Sequence, residues 1–254
     1  MANYDIIGNI VVIKGEEMSG AEKLKLAEKL LKRPGVKTVV EKIGNVKGRL
    51  RTIDVKHIAG EKDLIACVKE NNCLFKFNIK TCYFSPRISN ERKIIAEKIK
   101  KKERVLVMFA GVGVYPIVIS KLSKCKEIVG VELGKDCVKY FKENLKLNKV
   151  SGVEVVQGDV KKKVSVVLGK FDVIVMPRPN LKDSFLKYAL SVSKKGTKIF
   201  YYGFCNISEI KGLTEGLVEE AKSFGRRIKI GRVVRAGDIA PYKFRYRIEM
   251  RVLG

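Results

Sequence analysis

Three short stretches carry residues whose types and spacing suit a bound nucleoside. The first is Phe109-Ala110-Gly111-Val112-Gly113, which follows the apolar run Arg104–Met108. Glycine at a strand end lets the backbone approach a ligand that a side chain would block. The second is Glu132, about twenty residues on, where a carboxylate can accept both hydroxyls of a ribose. The third is Asp159, in Gly158-Asp159 after Val153–Gln157, placed to meet a base edge. Taken singly, each has a plainer reading: a βα turn, a surface acid, a turn or helix cap. Their spacing at three successive strand ends points instead to one cofactor site. A nicotinamide or flavin dinucleotide is disfavoured, because the third glycine of its G-x-G-x-x-G fingerprint is replaced by Pro116. S-adenosyl-L-methionine has no pyrophosphate and needs only the short glycine loop, so it is the expected cofactor.

Those strand ends need a sheet to hold them. From Ser89 the chain alternates strand and helix. Strands are expected at Arg104–Met108, Glu127–Glu132, Val153–Gln157, Phe171–Met176, Thr197–Tyr202, Ile228–Val234 and Phe244–Val252. Helices are expected at Ser89–Ile99, Tyr115–Lys121, Lys135–Asn148 and Asn180–Ser193, and from the capping box Asn206-Ile-Ser-Glu209 to Phe224. This alternation specifies an α/β fold with a doubly wound, mostly parallel sheet of seven strands, whose ligand lies at the carboxyl ends. The last two strands form an antiparallel pair across a loop of about ten residues. Met176 and Pro177 close the fourth of these strands and join Phe109, Ala110, Gly111 and Gly113 as candidate cofactor contacts.

Ahead of this lies a smaller α+β unit. It has a strand at Ile6–Ile13, a helix opened by the capping box Ser19-Gly-Ala-Glu22 and stopped by Pro34-Gly35, and short strands at Thr38–Ile43, Leu50–Ile58, Asp63–Val68 and Leu74–Ile79. The expected division is 1–72 and 73–254. His57 alternates with Ile53 and Val55 and reads as packing or surface.

Composition narrows the partners. Lys and Arg number 53 against 27 Asp and Glu, a net charge of +26 over 254 residues, and 46% of residues are hydrophobic. Such a chain can bury a core, so it is not a disordered basic tail. No run of about 18 apolar residues exists, and Met-Ala-Asn-Tyr-Asp lacks the features of a signal peptide, so no membrane span and a cytoplasmic location are expected. Excess positive charge calls for an anionic partner, with nucleic acid first. The first 72 residues hold 14 basic and 10 acidic side chains, and the remainder holds 39 and 17. The excess concentrates in Arg87–Arg104 and from Arg226 to the C-terminus. Six scattered cysteines without a C-x-x-C, beside one histidine, support no metal site and read as reduced thiols.

The pattern resembles a known family. Tyr83-Phe-Ser-Pro-Arg87-Ile-Ser-Asn-Glu91-Arg92, then Met108-Phe-Ala-Gly-Val-Gly113 and Asn144-Leu-Lys-Leu-Asn148, resembles the archaeal and eukaryotic tRNA guanine-37 N1-methyltransferases and their relatives in wybutosine biosynthesis. The likeness covers nearly the whole chain. The first 72 residues look like the family's small RNA-binding domain, and Asp238-Ile-Ala-Pro241 like its C-terminal motif. The resemblance implies that Glu91 is the general base for the guanine N1 proton and that Arg51 contacts O6. It further implies that Tyr83 and Arg87 shape the site, that Glu132 binds ribose, that the glycine loop holds the methionine end, and that tRNA is the partner of a monomer. The chemistry is coherent. Guanine N1 is not nucleophilic until it loses its proton, a carboxylate can take it, and a guanidinium can stabilise charge on O6. Without the motif, Glu91 is a first-turn acid favoured by the helix dipole, and Arg51 suits a phosphate equally well.

Three departures stand out. Val107 occupies a position that is usually acidic. Met176-Pro-Arg-Pro179 replaces the usual Asn-Leu-Pro, leaving Arg178 as a substitute donor to a base or a phosphate. By length, the extra N-terminal tRNA-recognising domain of many members is not expected here. Methyl transfer leads, because Arg87 follows the methyltransferase version of the motif. Transfer of the aminocarboxypropyl group of the same cofactor is the alternative, and a catalytically decayed tRNA-binding protein is a third reading.

Overall fold

A computed structural model describes residues 4–14, 18–167 and 169–254. Met1–Asn3, part of the stretch read for a signal peptide, lie outside these. The stretch expected as a single strand at Ile6–Ile13 is a hairpin of β1 (Tyr4–Ile7) and β2 (Ile10–Ile13), turned at Gly8 with φ +60°. A Cβ at Gly8 would lie 1.9 Å from the Cys67 carbonyl oxygen, so only glycine fits. Helix α1 (Gly20–Leu31) opens at the Ser19–Glu22 capping box, with both reciprocal hydrogen bonds formed. Strands β3 (Thr38–Lys47) and β4 (Thr52–Gly60) complete a four-stranded sheet in the order β1-β2-β3-β4. A separate ribbon follows: β5 (Ile65–Glu70) and β6 (Cys73–Asn78), turned at Asn71-Asn72. The expected division after residue 72 falls within this turn.

The larger unit begins with α2 (Ser89–Glu97) and β7 (Arg104–Met108). It continues through α3 (Val114–Ser123), β8 (Glu127–Glu132), α4 (Lys135–Leu147), β9 (Val153–Gln157), α5 (Val160–Val167) and β10 (Phe171–Met176). Then come α6 (Leu186–Ser191), β11 (Ser193–Asn206), α7 (Ile210–Ser223), β12 (Ile228–Ala240) and β13 (Lys243–Val252). The sheet runs β12-β13-β11-β10-β7-β8-β9, parallel from β11 to β9, with β13 antiparallel to both β11 and β12. Strand alternation splits the core in two. Val105, Val107, Val173 and Val175 face α2, α3 and α4, while Leu106, Met108, Ile174 and Met176 face α5, α6 and α7. The doubly wound, mostly parallel seven-stranded fold is therefore as the sequence specifies.

Three elements of the larger unit differ from expectation. Helix α5 (Val160–Val167) forms where no helix is expected. The helix expected from Asn180 starts only at Leu186, because the carbonyls of Pro179, Leu181 and Asp183 all point at the Arg178 guanidinium instead of into a helical ladder. The last two strands are joined not by about ten residues but by Pro241-Tyr242, with Ala240 paired to Lys243 and Tyr242 at φ +59°. Residues 235–240, expected as part of that loop, are strand, with register shifts between Arg235 and Gly237 and between Asp238 and Ala240. Among the described residues, no helix is long and apolar enough to cross a membrane.

Candidate active site

A cleft opens at the carboxyl ends of β7, β8 and β10, where the strand order reverses direction between β7 and β10. Its floor is the β7–α3 turn. Phe109 and Gly111 both take left-handed φ, +61° and +57°, and this turns the chain under the cleft. A Cβ at Gly111 would meet nothing within 4 Å, so the space above this backbone is open to a ligand. Gly113 has a different role. A Cβ there would lie 2.1 Å from the Phe141 ring, so this glycine permits helix packing and does not line the cleft.

Glu132 closes β8 with both carboxylate oxygens engaged: Oε2 accepts from the Gly111 amide and Oε1 from the Gly134 amide, each at 2.8 Å. Each oxygen keeps a lone pair toward the cleft. Burial pushes this carboxyl above its ordinary value, and the surrounding backbone amides only partly offset that. Asp159 precedes α5 and caps it by accepting from the Lys161 amide at 2.9 Å. Arg49, from the β3–β4 turn, pairs with its other oxygen at 2.9 Å. Burial raises the Asp159 carboxyl, but its hydrogen bonds and the Arg49 charge bring it below the ordinary aspartate value. Of the other strand-end candidates, Ala110 and Pro177 line the cleft. Met176 is wholly buried in the core beneath it.

The opposite wall is cationic. The β3–β4 turn, with Arg51 at φ +57°, reaches over the cleft and lays the Arg51 guanidinium 3.7 Å from the centre of the Tyr83 ring. Arg245 of β13 is buried, and its charge acts on the same phenol. Burial alone would raise the Tyr83 hydroxyl; the fields of Arg51 and Arg245 and the hydrogen bonds outweigh it, and the pKa falls below 10. Arg245 has no carboxylate partner among the described residues, as befits a group facing an electron-rich ligand. The cleft is thus polarised around two groups: the Glu132 and Asp159 carboxylates at the β8 and β9 ends, where Arg49 reaches Asp159, and the Arg51 and Arg245 guanidinium groups gathered on Tyr83.

The remaining candidates divide. Glu91 is buried in the first turn of α2, where Oε1 accepts from Tyr202 Oη at 2.7 Å and from Arg247 Nη1 at 2.6 Å. It lies behind Tyr202 and does not line the cleft itself. Arg87 points away and pairs with Asp5 of β1. Arg178 lines the cleft, but its Nη1 is given to the three loop carbonyls and its guanidinium lies 5.0 Å from the Tyr201 ring centre. Val107 is wholly buried among apolar neighbours, so no carboxylate replaces the acid expected there. His57 is half-buried and contacts the Gly60 carbonyl oxygen. Arg245, Tyr202 and Tyr115 also line the cleft, and no motif in the sequence marks them. The only signal was the alternation Arg245-x-Arg247, which puts two guanidinium groups on one side of β13.

Comparison with known proteins fits this geometry. Residues 66–230 match the TRM5/TYW2 methyltransferase domain, and residues 1–63 match the TYW2 N-terminal domain. The chain is 34% identical over 255 residues to a protein of Pyrococcus abyssi named tRNA (guanine(37)-N(1))-methyltransferase Trm5b, covering 98% of this chain and 74% of that one. The crystal structure of that Trm5b superposes with a TM-score of 0.87. A Nanoarchaeum equitans protein named tRNA (guanine(37)-N(1))/4-demethylwyosine(37)-methyltransferase Taw22 is 31% identical, covering 99% of this chain and all of the relative. The structure of P. horikoshii TYW2 in complex with MeSAdo is 25% identical, with a TM-score of 0.83, covering 98% of this chain and 90% of that one. The chain belongs to the TRM5/TYW2 methyltransferase family.

Proposed function

We propose that the protein is an S-adenosyl-L-methionine-dependent tRNA methyltransferase that modifies N1 of the guanosine at position 37. The observation that carries this is the polarised cleft: Gly111 and Glu132 on one side, Arg51, Tyr83 and Arg245 on the other, with the Glu91 carboxylate behind. The carboxylate side fits the cofactor. Glu132 has lone pairs for ribose hydroxyls, Gly111 leaves room for the backbone to approach, and Asp159, once parted from Arg49, can meet the base edge. Phe109, Ala110 and Pro177 form the apolar surround. When bound, the cofactor supplies an electrophilic methyl on a sulfonium. The chain's own residues prepare the nucleophile. Arg51 stabilises charge developing on O6, Tyr83 holds Arg51, and Glu91 takes up the N1 proton. The N-terminal unit contributes Arg49, Leu50 and Arg51 of the β3–β4 turn to the cleft lining, which places RNA bound by that unit beside the cleft.

Nucleoside mass spectrometry of unmodified tRNA transcript, after incubation with protein and cofactor, tests this: 1-methylguanosine at position 37 is the expected product. Glu91→Gln should slow single-turnover methylation by about two orders of magnitude, the scale of a general base. A rate unchanged by that substitution would remove Glu91 from the role.

A second reading has its own support. The N-terminal match to the TYW2 domain and the loss of the expected asparagine at Pro177 favour transfer of the aminocarboxypropyl group. The two products differ in added mass, so the same spectra separate them.

A further inference from the structure

We infer that Tyr202 is a catalytic residue, the link that carries the substrate proton to Glu91. This rests on the proposed role of Glu91 as the final proton acceptor. Tyr202 Oη donates to Glu91 Oε1 at 2.7 Å, and Tyr115 Oη lies 3.0 Å from Tyr202 Oη. A carboxylate can only accept, so the Tyr202 proton is committed to Glu91. Tyr115 must therefore donate to Tyr202, and every hydrogen bond in the chain points at the carboxylate. Both phenols line the cleft and Glu91 does not. A proton leaving a base in the cleft thus meets a phenol before it meets the carboxylate.

The surroundings suit a relay rather than an ionised tyrosine. Burial and the neighbouring carboxylate hold the Tyr202 hydroxyl well above its ordinary value, and burial holds Tyr115 at about 12, so both stay neutral. Arg247 fixes Glu91 from behind and is shared with Glu249 at 3.0 Å, which in turn meets Lys98 at 3.1 Å. Arg247 therefore keeps a counter-ion when Glu91 is neutralised.

The step balances. The N1–H bond breaks and its proton goes to Tyr202 Oη, while the Tyr202 proton moves to Glu91 Oε1. The freed N1 electron pair bonds the methyl carbon, and the carbon–sulfur bond leaves its pair on sulfur. One positive charge, on the sulfonium, and one negative charge, on Glu91, disappear together. Neutral Glu91 then loses its proton to solvent.

Three measurements test the relay. Tyr202→Phe should slow single-turnover methylation about 100-fold with cofactor affinity held, read at a temperature where the variant is fully folded, since the loss of two buried hydrogen bonds lowers its melting temperature. Combining it with Glu91→Gln should cost no more than Glu91→Gln alone, because both break one path. Replacing Tyr202 with 3-fluorotyrosine keeps the hydroxyl and should restore most of the rate. Its fluorine resonance should also move when an anticodon stem–loop with guanosine 37 binds without cofactor. A Tyr202→Phe rate within threefold of wild type beside a slow Glu91→Gln overturns the relay and leaves the Glu91 reading standing. Losses that multiply in the double variant, a 3-fluorotyrosine protein as slow as the phenylalanine one, or an unmoved resonance also overturn it. No methylation by the wild-type protein overturns the underlying reading instead.

Discussion

Glu132 shows how one side chain serves the fold and the ligand together. Its two oxygens tie the β7–α3 turn to the β8–α4 turn through Gly111 and Gly134, so the cofactor floor exists only with this carboxylate in place. Burial raises its pKa above the ordinary glutamate value. The sign follows. The folded chain holds this proton more tightly than the unfolded chain does. The group's contribution to folding is therefore full at acid pH and is lost as pH rises through the folded value. Cofactor binding has the opposite sign, since the ribose needs the anion. Titration calorimetry with S-adenosylhomocysteine should show affinity falling as pH drops through a window above the ordinary carboxylate range. Glu132→Gln should bind weakly at every pH, with that dependence flattened; an unaltered pH profile in the variant would remove Glu132 from the ribose site. At this scale part of the cleft lining is legible in the sequence. Gly111, Glu132 and Asp159 sit at strand ends that periodicity marks, and Arg51 and Tyr83 sit in local motifs. Arg245 and Tyr202 were illegible because they enter from antiparallel and fifth-strand positions whose neighbours in space are far away in sequence. Gly113 shows the converse, a motif glycine whose necessity is Phe141 packing.

At the scale of elements, the β5–β6 ribbon poses a problem that asparagine solves. A two-stranded ribbon has two open edges and little stability alone. Asn9 closes the β5 edge, donating to the Ile65 carbonyl and accepting from the Cys67 amide. Asn144 and Asn148 close the β6 edge. Asn144 accepts from the Lys76 amide and donates to the Lys76 and Val112 carbonyls, while Asn148 brackets Leu74 in the same way. The spacing of four puts both amides on one side of α4, beside buried Cys137, Val138 and Phe141. The ribbon thereby joins the small unit to α4, and Phe75 and Phe77 pass from it into the core. Asn144→Ala removes three hydrogen bonds from a fully buried position. It should destabilise the fold by on the order of 2 kcal/mol, since partners are left unpaired. Denaturant titration measures it, and a change below about 0.5 kcal/mol, the range of ordinary surface substitutions, would contradict the bracket. The sequence showed the asparagines as a motif but not what they hold, because the ribbon lies about seventy residues upstream. Turn chemistry marked Asn71-Asn72 as a boundary, yet the same chemistry makes a hairpin.

For the whole molecule, the net charge of +26 is neither spread evenly nor neutralised by partners inside the fold. Several basic groups of the larger unit are already committed to its own acids: Arg247 to Glu91, Lys198 to Glu103, and Arg104 to Glu127. Each such pair uses one acid per base, so it leaves the surplus of the larger unit, 39 basic against 17 acidic residues, on the surface. The first 72 residues, with 14 against 10, contribute little of it. Such a surplus attracts a polyanion, and each neutralised phosphate releases counter-ions. If six phosphates are contacted, the logarithm of the tRNA association constant should fall with the logarithm of salt at a slope of about −4 to −5. Filter binding between 50 and 300 mM salt would read that slope. Charge reversal of Lys100, Lys101 and Lys102, which lie beyond α2 and outside the cleft, should lower its magnitude by about 1 to 2 if that stretch contacts the backbone, with cofactor affinity unchanged. A flat salt dependence would mean that the charge serves something other than RNA, and an undiminished slope in the triple variant would move the contact elsewhere on the same unit.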